Sequence, residues 1–311
     1  MSSQSGPGPG EPDPGVRAIM SERRRLINLA YRLLGSMADA EDAVQETYAR
    51  WYAMTRPQQE AIEVPAAWLT TVASRICLNV LSSARARRET YVGEWIPEPL
   101  PSSAEWPGGA PGDRTADPAD RVTLDESVSM AFLVVLESLT PAQRVAFILH
   151  DVFGYPFAEV AEVTGRTPAA CRKLASSARH RSRAARVPAT PAARQAGLVR
   201  DFKHAWEATD IEALIGLLDP AATAIADSGG LVSAVTEPVQ GGEQIARACV
   251  GLITRTPGMV ILERTVNGQP GLVTQQDGGT VAVLAFDIAH DRIKHIWAVL
   301  NPEKLRPWAA G

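Results

Sequence analysis

Positively charged side chains fill one stretch of the sequence without any acidic partner. From Arg166 to Arg200 the chain carries nine Lys and Arg residues and no Asp or Glu, although its formal net charge is -4. Cations that no carboxylate neutralises attract phosphate groups, so nucleic acid is the first partner to consider. The alternative is a solvated helix face, which is what most runs of charge are.

The spacing of apolar residues places this charge on a helix. In "TPAACRKLASSARHR" the inward face is formed by Ala170, Cys171, Leu174 and Ala178. A short segment, "FAEVAEVTG", precedes it through Gly165, and this arrangement is typical of a helix-turn-helix. A helix in the major groove needs short polar residues and cations for guanine edges and phosphates. The residues predicted to contact DNA are Thr167, Arg172, Lys173, Ser176 and Arg179.

The composition excludes several classes of protein. The 311 residues, 45% of them hydrophobic, suffice for two or three domains. The three cysteines lie far apart, with no CxxC pair and no nearby histidine ligands, so neither a zinc knuckle nor a disulfide framework is indicated. Residues 1–15 form a Ser, Gly and Pro tract without the apolar core of a secretory signal. No apolar run reaches membrane-spanning length. We therefore expect a cytoplasmic protein with a disordered tail.

Charge and composition divide the remaining chain into blocks. Lys and Arg exceed Asp and Glu in residues 16–89 and 121–200, whereas the acids are in excess in residues 90–120 and 201–311. The predicted units are a helical module at 16–90, an acidic Pro/Gly-rich linker at 91–120, a helical module at 121–186, a short linker at 187–196 and a C-terminal domain at 197–311.

The C-terminal block changes from helical to strand periodicity. "LVRDFKHAWEATD" and "IEALIGLLD" predict amphipathic helices, and four strand-like segments from "MVILERTVNG" to "RIKHIWAVL" follow, separated by turn residues. We therefore expect an α+β domain with an antiparallel meander. Its candidate catalytic groups are Asp227, Asp287, His290 and His295. The sequence shows no carboxylate–imidazole pair among them to be close in space, so catalysis is a weak hypothesis.

Two of these segments resemble bacterial sigma factors. "DAEDAVQETYARWY" resembles their region 2, and "GYPFAEVAEVTGRTPAACRKLASSAR" resembles their region 4. Their order and spacing are similar to the extracytoplasmic-function (ECF) class, over residues 17–186. The resemblance implies a protein that binds core RNA polymerase through its clamp helices and flap, and that recognises and opens promoter DNA. Such a protein is expected to need no metal or organic cofactor.

The resemblance also implies roles for residues of the first module. The exposed face that would bind the clamp helices of the largest polymerase subunit comprises Asp42, Gln45 and Glu46. Contacts to the −10 element, including a flipped base, would come from Arg75, Asn79, Arg85, Arg87 and Arg88. Asn79 and Ser82 stand where ECF proteins often carry an acid and an arginine, so base contacts differ there. The cationic helix of the second module would read the −35 element.

Three short motifs resemble an ECF subgroup, often called SigJ-like, that carries a C-terminal SnoaL-like extension. They are "WIPEPL" at 95–100, "DSGGL" at 227–231 and "NPEKL" at 301–305. Ser228 and Leu231 depart from the subgroup pattern, which has a third glycine and an arginine. The motifs imply a cone-shaped domain that folds back on the linker. The predicted regulatory contacts are Trp95, Pro97, Glu98, Pro99, Asp227, Gly229, Gly230, Asn301, Pro302, Glu303, Lys304 and Leu305.

The sequence thus predicts a multidomain protein with two all-α sigma modules, a region 2 helical bundle and a region 4 helix-turn-helix, followed by an α+β SnoaL-like domain. That domain would control activity in cis through contacts with regions 2, 4 and the linker. An anti-sigma factor is possible but not required. Two alternatives stay open, namely a stand-alone helix-turn-helix regulator and a SnoaL-type small-molecule enzyme fused to a DNA-binding module.

Overall fold

The structure is a computed structural model that describes residues 14–88, 91, 93–101, 129–184, 190–232 and 237–308. Most of the predicted acidic linker, the start of the tail and the side chains of Arg85, Arg87 and Arg88 lie outside the described part. The predicted unit boundaries remain predictions.

The first module is a helical bundle. Its elements are α1 (Pro14–Leu34), α2 (Met37–Tyr52), α3 (Arg56–Glu60) and α4 (Pro65–Arg88). Gly35, with φ +70°, ends α1 as the sequence predicts. Ser36 then caps α2 by accepting a hydrogen bond from the Asp39 backbone N–H at 3.2 Å. The turn between α1 and α2 is therefore tight and well defined.

The second module is a helix-turn-helix with two preceding helices. Its elements are α5 (Met130–Glu137), α6 (Pro141–Phe147), a π-helical turn (Ile148–Val152), α7 (Phe157–Thr164) and α8 (Pro168–Ala184). Thr140 and Gln143 cap α6 reciprocally. Gly165, at φ +65°, provides the left-handed turn between α7 and α8. The predicted helix-turn-helix is confirmed.

In the described residues of the C-terminal domain, three helices pack against one six-stranded sheet. The helices are α9 (Ala192–Glu207), α10 (Ile211–Leu217) and α11 (Gly242–Arg255). The strands are β1 (Leu218–Asp227), β2 (Val239–Gln240), β3 (Val260–Val266), β4 (Gln269–Gln276), β5 (Gly279–Ala289) and β6 (Arg292–Val299). Their order is β2-β1-β6-β5-β4-β3, and a 3₁₀ turn (Arg306–Trp308) follows. The predicted α+β class is confirmed.

The prediction of four strands was incomplete. Strands β3 to β6 form the expected antiparallel meander, but β1 adds to it in parallel with β6. The sequence of β1, "LDPAATAIAD", is rich in Ala and contains Pro, so its own strand propensity is weak. Pairing with a strand some seventy residues later supplies the hydrogen bonds that local propensity does not.

Both faces of the sheet are buried. One face, with Leu284 and Phe286, packs against α9, where the rings of Phe202 and Phe286 are 5.5 Å apart. The opposite face packs against residues from outside the domain and from its C-terminal turn. This second cluster comprises Val266, Val273, Val283, Ala285, Trp297 and Val299 of the sheet with Ile96, Met130, Leu305 and Trp308. The linker and α5 thus complete the core of the C-terminal domain.

The two helical modules share one hydrophobic core. Buried residues of α1, α2 and α4 form a continuous cluster with those of α5 to α8. Arg144 of α6, 3% exposed, crosses the junction and donates to the Leu33 carbonyl oxygen at 2.9 Å and to Glu137 at 2.7 Å. Burial lowers the pKa of this guanidinium to about 9. The modules are therefore packed directly against each other.

Gly35→Ala tests how the linker meets the α1–α2 turn. Alanine would be strained by the positive φ at this position, and its Cβ would lie 2.8 Å from the Cη2 atom of Trp95. We expect a loss of about 2–3 kcal/mol in the free energy of unfolding, from backbone strain and overpacking together.

Gly165→Ala is the matched control, because its φ is equally positive but no heavy atom lies within 4 Å of the added Cβ. It should cost about 1 kcal/mol in urea unfolding. Equal losses in the two variants would contradict the Trp95 contact.

Candidate nucleic-acid interface and interdomain contacts

The predicted polymerase-binding face is exposed on α2. Asp42, Gln45 and Glu46 all face solvent, while the intervening Ala43 and Val44 are buried. Glu46 pairs with Arg50 one turn later, at 2.9 Å between Oε1 and Nε. An exposed i,i+4 pair of this kind is weak, so it leaves the acidic face available to a basic partner.

The cationic helix α8 presents part of the predicted −35 set. Lys173 and Ser176 are exposed, and Thr167 caps the helix by accepting from the Ala170 N–H at 3.2 Å. Arg172 lies over the Phe157 ring at 5.2 Å, and Arg179 pairs with Asp151 at 2.6 Å. Asp151 belongs to the π-helical turn, and no sequence pattern indicated this pair.

One predicted −10 residue on α4, Arg75, contacts the second module. Arg75 and Asn79 are exposed, but the Nη2 of Arg75 donates to the Glu162 carbonyl oxygen of α7 at 2.8 Å. On the same helix, the Thr70 hydroxyl accepts from the Tyr155 hydroxyl at 3.0 Å. Helix α4 is therefore in contact with the helix-turn-helix domain.

A buried ion pair of the C-terminal domain binds the linker backbone at Ile96. The Lys304 Nζ lies 2.6 Å from Asp227 Oδ2 and also donates to the Ile96 carbonyl oxygen at 2.6 Å. The Ile96 N–H donates to the same Asp227 oxygen at 2.9 Å. The side chains of Asp227 and Lys304 are 0% and 10% exposed. We call this cluster of Asp227, Lys304 and Ile96 the linker clamp.

Aromatic side chains enclose the linker clamp. The Lys304 ammonium lies 4.1 Å from the centroid of the Trp95 ring and 5.3 Å from that of Tyr91. The Tyr91 hydroxyl donates to Asp227 Oδ1 at 2.7 Å and accepts from the Asn301 side-chain amide at 2.9 Å. Burial, together with this hydrogen bond to Asp227, raises the pKa of Tyr91. Tyr91 was not predicted from the sequence.

The glycine-containing loop and the final motif meet beside the linker clamp. A Cβ on Gly229 would lie 2.5 Å from the Asn301 Nδ2, so the loop requires glycine there. The Asn301 N–H donates to the Asp227 carbonyl oxygen at 2.9 Å. Leu305 is buried in the hydrophobic cluster on the sheet face opposite α9. The remaining predicted contacts of these motifs, Gly230, Pro302 and Glu303, are exposed.

Glu98 points from the linker into the first module. Its carboxylate accepts from the Met37 N–H at 2.7 Å, at the start of α2, and its own N–H donates to the Gly35 carbonyl oxygen at 2.8 Å. Pro97 and Pro99 on either side are buried. Burial raises the pKa of Glu98, against the opposing effects of the Met37 hydrogen bond and of Lys304.

A second junction, which the sequence did not predict, involves Leu100, four residues after Ile96 of the linker clamp. Asn267 occupies the β3–β4 turn at φ 49° and is only 3% exposed. Its side chain accepts from the Leu100 N–H at 3.0 Å and donates to the Tyr31 hydroxyl at 2.9 Å. The Trp308 indole donates to the Pro99 carbonyl oxygen at 2.8 Å. Asn-Gly predicts such a turn, but nothing in the sequence shows that the turn is buried.

The candidate catalytic groups do not converge on one site. Asp227 is engaged in the linker clamp, and His290 lies in the β5–β6 turn. Asp287 and His295 are cross-strand neighbours, and the Nδ1 of His295 is 2.6 Å from the Thr223 hydroxyl. Within the described residues, no group of three or more potential ligands could hold a metal ion. No described helix is long and apolar enough to cross a membrane.

Comparison with known proteins identifies the family. Residues 18–87 match the Sigma-70 region 2 family, and residues 129–181 match the Sigma-70, region 4 family. The ECF RNA polymerase sigma factor SigJ of Mycobacterium tuberculosis is 38% identical over 294 residues, which cover 91% of this chain and 90% of SigJ. The chain belongs to the ECF sigma factors. It is a transcription initiation factor and not an enzyme, and such factors bind core RNA polymerase and promoter DNA.

A second relative and the crystal structure of SigJ extend the assignment to nearly the whole chain. The probable sigma factor SigI of M. tuberculosis is 33% identical over 300 residues, covering 96% of this chain and 97% of SigI. The crystal structure of M. tuberculosis SigJ matches at a TM-score of 0.72, with 36% identity and coverage of 94% and 98%. These matches confirm two sigma modules with a C-terminal SnoaL-like domain. They exclude the stand-alone regulator and the small-molecule enzyme.

Glu98→Gln tests the buried carboxylate. Folding raises the pKa of Glu98, so the folded protein favours the protonated carboxyl group. This contribution to the free energy of unfolding is fully present below pH 4.5, the ordinary pKa, and is lost as the pH rises through the raised pKa. Gln cannot ionise and keeps an acceptor for the Met37 N–H. The melting temperature of the variant should therefore rise relative to wild type between pH 5 and pH 8.

Glu94→Gln, an exposed linker position, is the control and should show no such relative gain. If the melting temperatures of the two variants depend on pH in the same way, burial of Glu98 does not raise its pKa enough to affect stability.

Proposed function

We propose that this ECF sigma factor directs core RNA polymerase to promoters and that its C-terminal domain holds the free protein closed. The observation that carries the proposal is the shared core of regions 2 and 4, with the linker fastened between region 2 and the C-terminal domain. The C-terminal domain would thus act in cis, through contacts with region 2, region 4 and the linker.

The packing of α4 on α7 argues that the closed arrangement cannot occupy a promoter. The −10 and −35 elements are about 25 base pairs apart, which is roughly 85 Å at 3.4 Å per base pair. In the closed arrangement Arg75 of region 2 is within hydrogen-bond distance of Glu162 in region 4. Binding both elements therefore requires separation of the two modules. The linker clamp would oppose that separation.

Polymerase has access to region 2 before this separation. Asp42, Gln45 and Glu46 are exposed, and an acidic face suits the basic clamp helices of the largest polymerase subunit. Region 4 would then contact the flap. In the open state Arg75, Asn79 and the basic end of α4 would bind the −10 strand. The −35 duplex would be read by Thr167, Arg172, Lys173, Ser176 and Arg179.

Tethering explains how a few contacts can control this equilibrium. The C-terminal domain is covalently attached, so its contacts form at high effective concentration. The buried Asp227–Lys304 pair is costly to break from one side, because the remaining charge stays buried without compensation. A separate anti-sigma protein is then not required. The factor would act where RNA polymerase is found, in the cytoplasm.

Promoter-dependent transcription with purified core polymerase tests the proposal. The variants are a chain ending at Arg186 and full-length Lys304→Met, which should weaken the clamp by about 3 kcal/mol. Lys294→Met is the matched control, because Lys294 also pairs at 2.6 Å within the C-terminal domain, with Asp219, whereas Lys304 in addition donates to the linker carbonyl oxygen of Ile96. It should cost less than about 1 kcal/mol.

We expect both clamp variants to compete better than wild type for limiting core polymerase at early times, and Lys294→Met to behave as wild type. Asp227→Asn combined with Lys304→Met should recover part of the closed state, as a double-mutant cycle would measure. Loss of initiation in all variants, with an intact wild type, would instead indicate that the C-terminal domain supports activity. Equal competition by wild type and both clamp variants would contradict cis control.

A further inference from the structure

We propose that Tyr155 of region 4 occupies a site on region 2 that an unstacked base of single-stranded promoter DNA takes in the open state. Region 4 and the −10 strand would then compete for one surface. The inference rests on the proposed role of α4 in binding the −10 strand. It assigns to region 4 a blocking function that is independent of the linker clamp.

A rigid corner presents the ring. Tyr155 follows the π-helical turn and Gly154, whose φ is +73°. The Tyr155 N–H donates to the Leu149 carbonyl oxygen at 2.9 Å, and the Nδ1 of His150 lies 2.8 Å from the Tyr155 carbonyl oxygen. The backbone is thereby held at both polar groups. The side chain is directed away from the helix-turn-helix and towards region 2.

Region 2 receives this ring as it could receive a base. The Tyr155 hydroxyl donates to the Thr70 hydroxyl of α4 at 3.0 Å, and Thr70 is 3% exposed. The Arg25 guanidinium of α1 lies 5.6 Å from the Tyr155 ring centroid. A planar ring beside a guanidinium, with a hydrogen bond at its edge, is the usual way that proteins hold unstacked bases.

A second ring and a main-chain oxygen continue the contact. Arg32 lies over the Phe153 ring at 5.7 Å, and Arg75 is bound to the Glu162 carbonyl oxygen. Arg32 is buried, so it supports the surface from within. Arg75 is exposed on the same helix as Thr70 and could hold a phosphate once α7 leaves. Along this face, arginines of region 2 therefore meet aromatic rings and a carbonyl oxygen of region 4.

The charges on region 2 at this contact favour the replacement of region 4 by a DNA strand. Region 4 offers two neutral rings and a carbonyl oxygen at this corner. Among the described ion pairs, Arg75 has no carboxylate partner, and Arg25 has one only at 3.7 Å, to Glu22. A DNA strand would supply bases and also phosphates, which the arginines bind more strongly than neutral groups. The strand is thus the better partner when it is available.

Binding of a short fluorescein-labelled single-stranded DNA oligonucleotide of randomised sequence, measured by anisotropy with full-length protein and no polymerase, tests the inference. Tyr155→Ala should bind about tenfold more tightly than wild type, since a cation–π contact and a hydrogen bond of the closed state are lost. Tyr155→Phe, which keeps the ring, should gain about threefold. Tyr52→Ala removes an exposed tyrosine of α2 as the matched control and should bind as wild type.

Thermal unfolding of each variant checks the fold, and Tyr155→Phe keeps the test valid if Tyr155→Ala does not fold. Adding Arg75→Ala to the tighter variant should abolish the gain.

If Arg75→Ala weakens binding but neither Tyr155 variant strengthens it, the competition is overturned while the −10 surface stands. If Tyr155→Phe binds more tightly and Arg75→Ala has no effect, the proposed −10 residue is wrong and the blocking role remains. Salt-sensitive binding with equal affinity in all variants would overturn both.

Discussion

The buried pair between Asp227 and Lys304 is the interaction on which the closed structure depends. A carboxylate that is fully excluded from water must be compensated, and Lys304 does this while it also binds the linker backbone at Ile96. The ion pair can therefore be satisfied completely only when the linker is docked. Folding of the C-terminal domain and position of the linker are coupled by this one requirement.

The apolar packing reinforces the same coupling. A sheet that faced water on its outer side would show alternating polar residues, but β5 is buried along most of its length because α5 and the linker cover that side. Regions 2 and 4 in turn share a single core. Opening must expose apolar surface, so a partner that covers it, such as polymerase or promoter DNA, is needed to stabilise the open state.

Several contacts join region 2 to the rest of the chain, and two of them differ in chemistry. The first is made by a linker carboxylate, Glu98, at the start of α2, the helix with the proposed polymerase-binding face. The second is made by Tyr155 and a carbonyl oxygen of region 4 against α4, the helix with the proposed −10 residues. In the proposed mechanism the first contact would respond to changes in the linker and the second to single-stranded DNA, so that polymerase and promoter would act on different parts of one equilibrium.

By itself, the sequence determined the elements whose signals are local. The helix ends at Gly35 and Gly165, the cationic helix, the order of the three modules and the family motifs all follow from periodicity, capping residues and short patterns. Only the tertiary structure decided which groups meet. Strand β1, the burial of Asn267, the role of Tyr91 and the contact of Tyr155 with Thr70 depend on residues more than eighty positions apart, or on a weak strand that a distant partner stabilises. Local propensity carries no information about such pairings, because their free energy exists only once the modules have packed together.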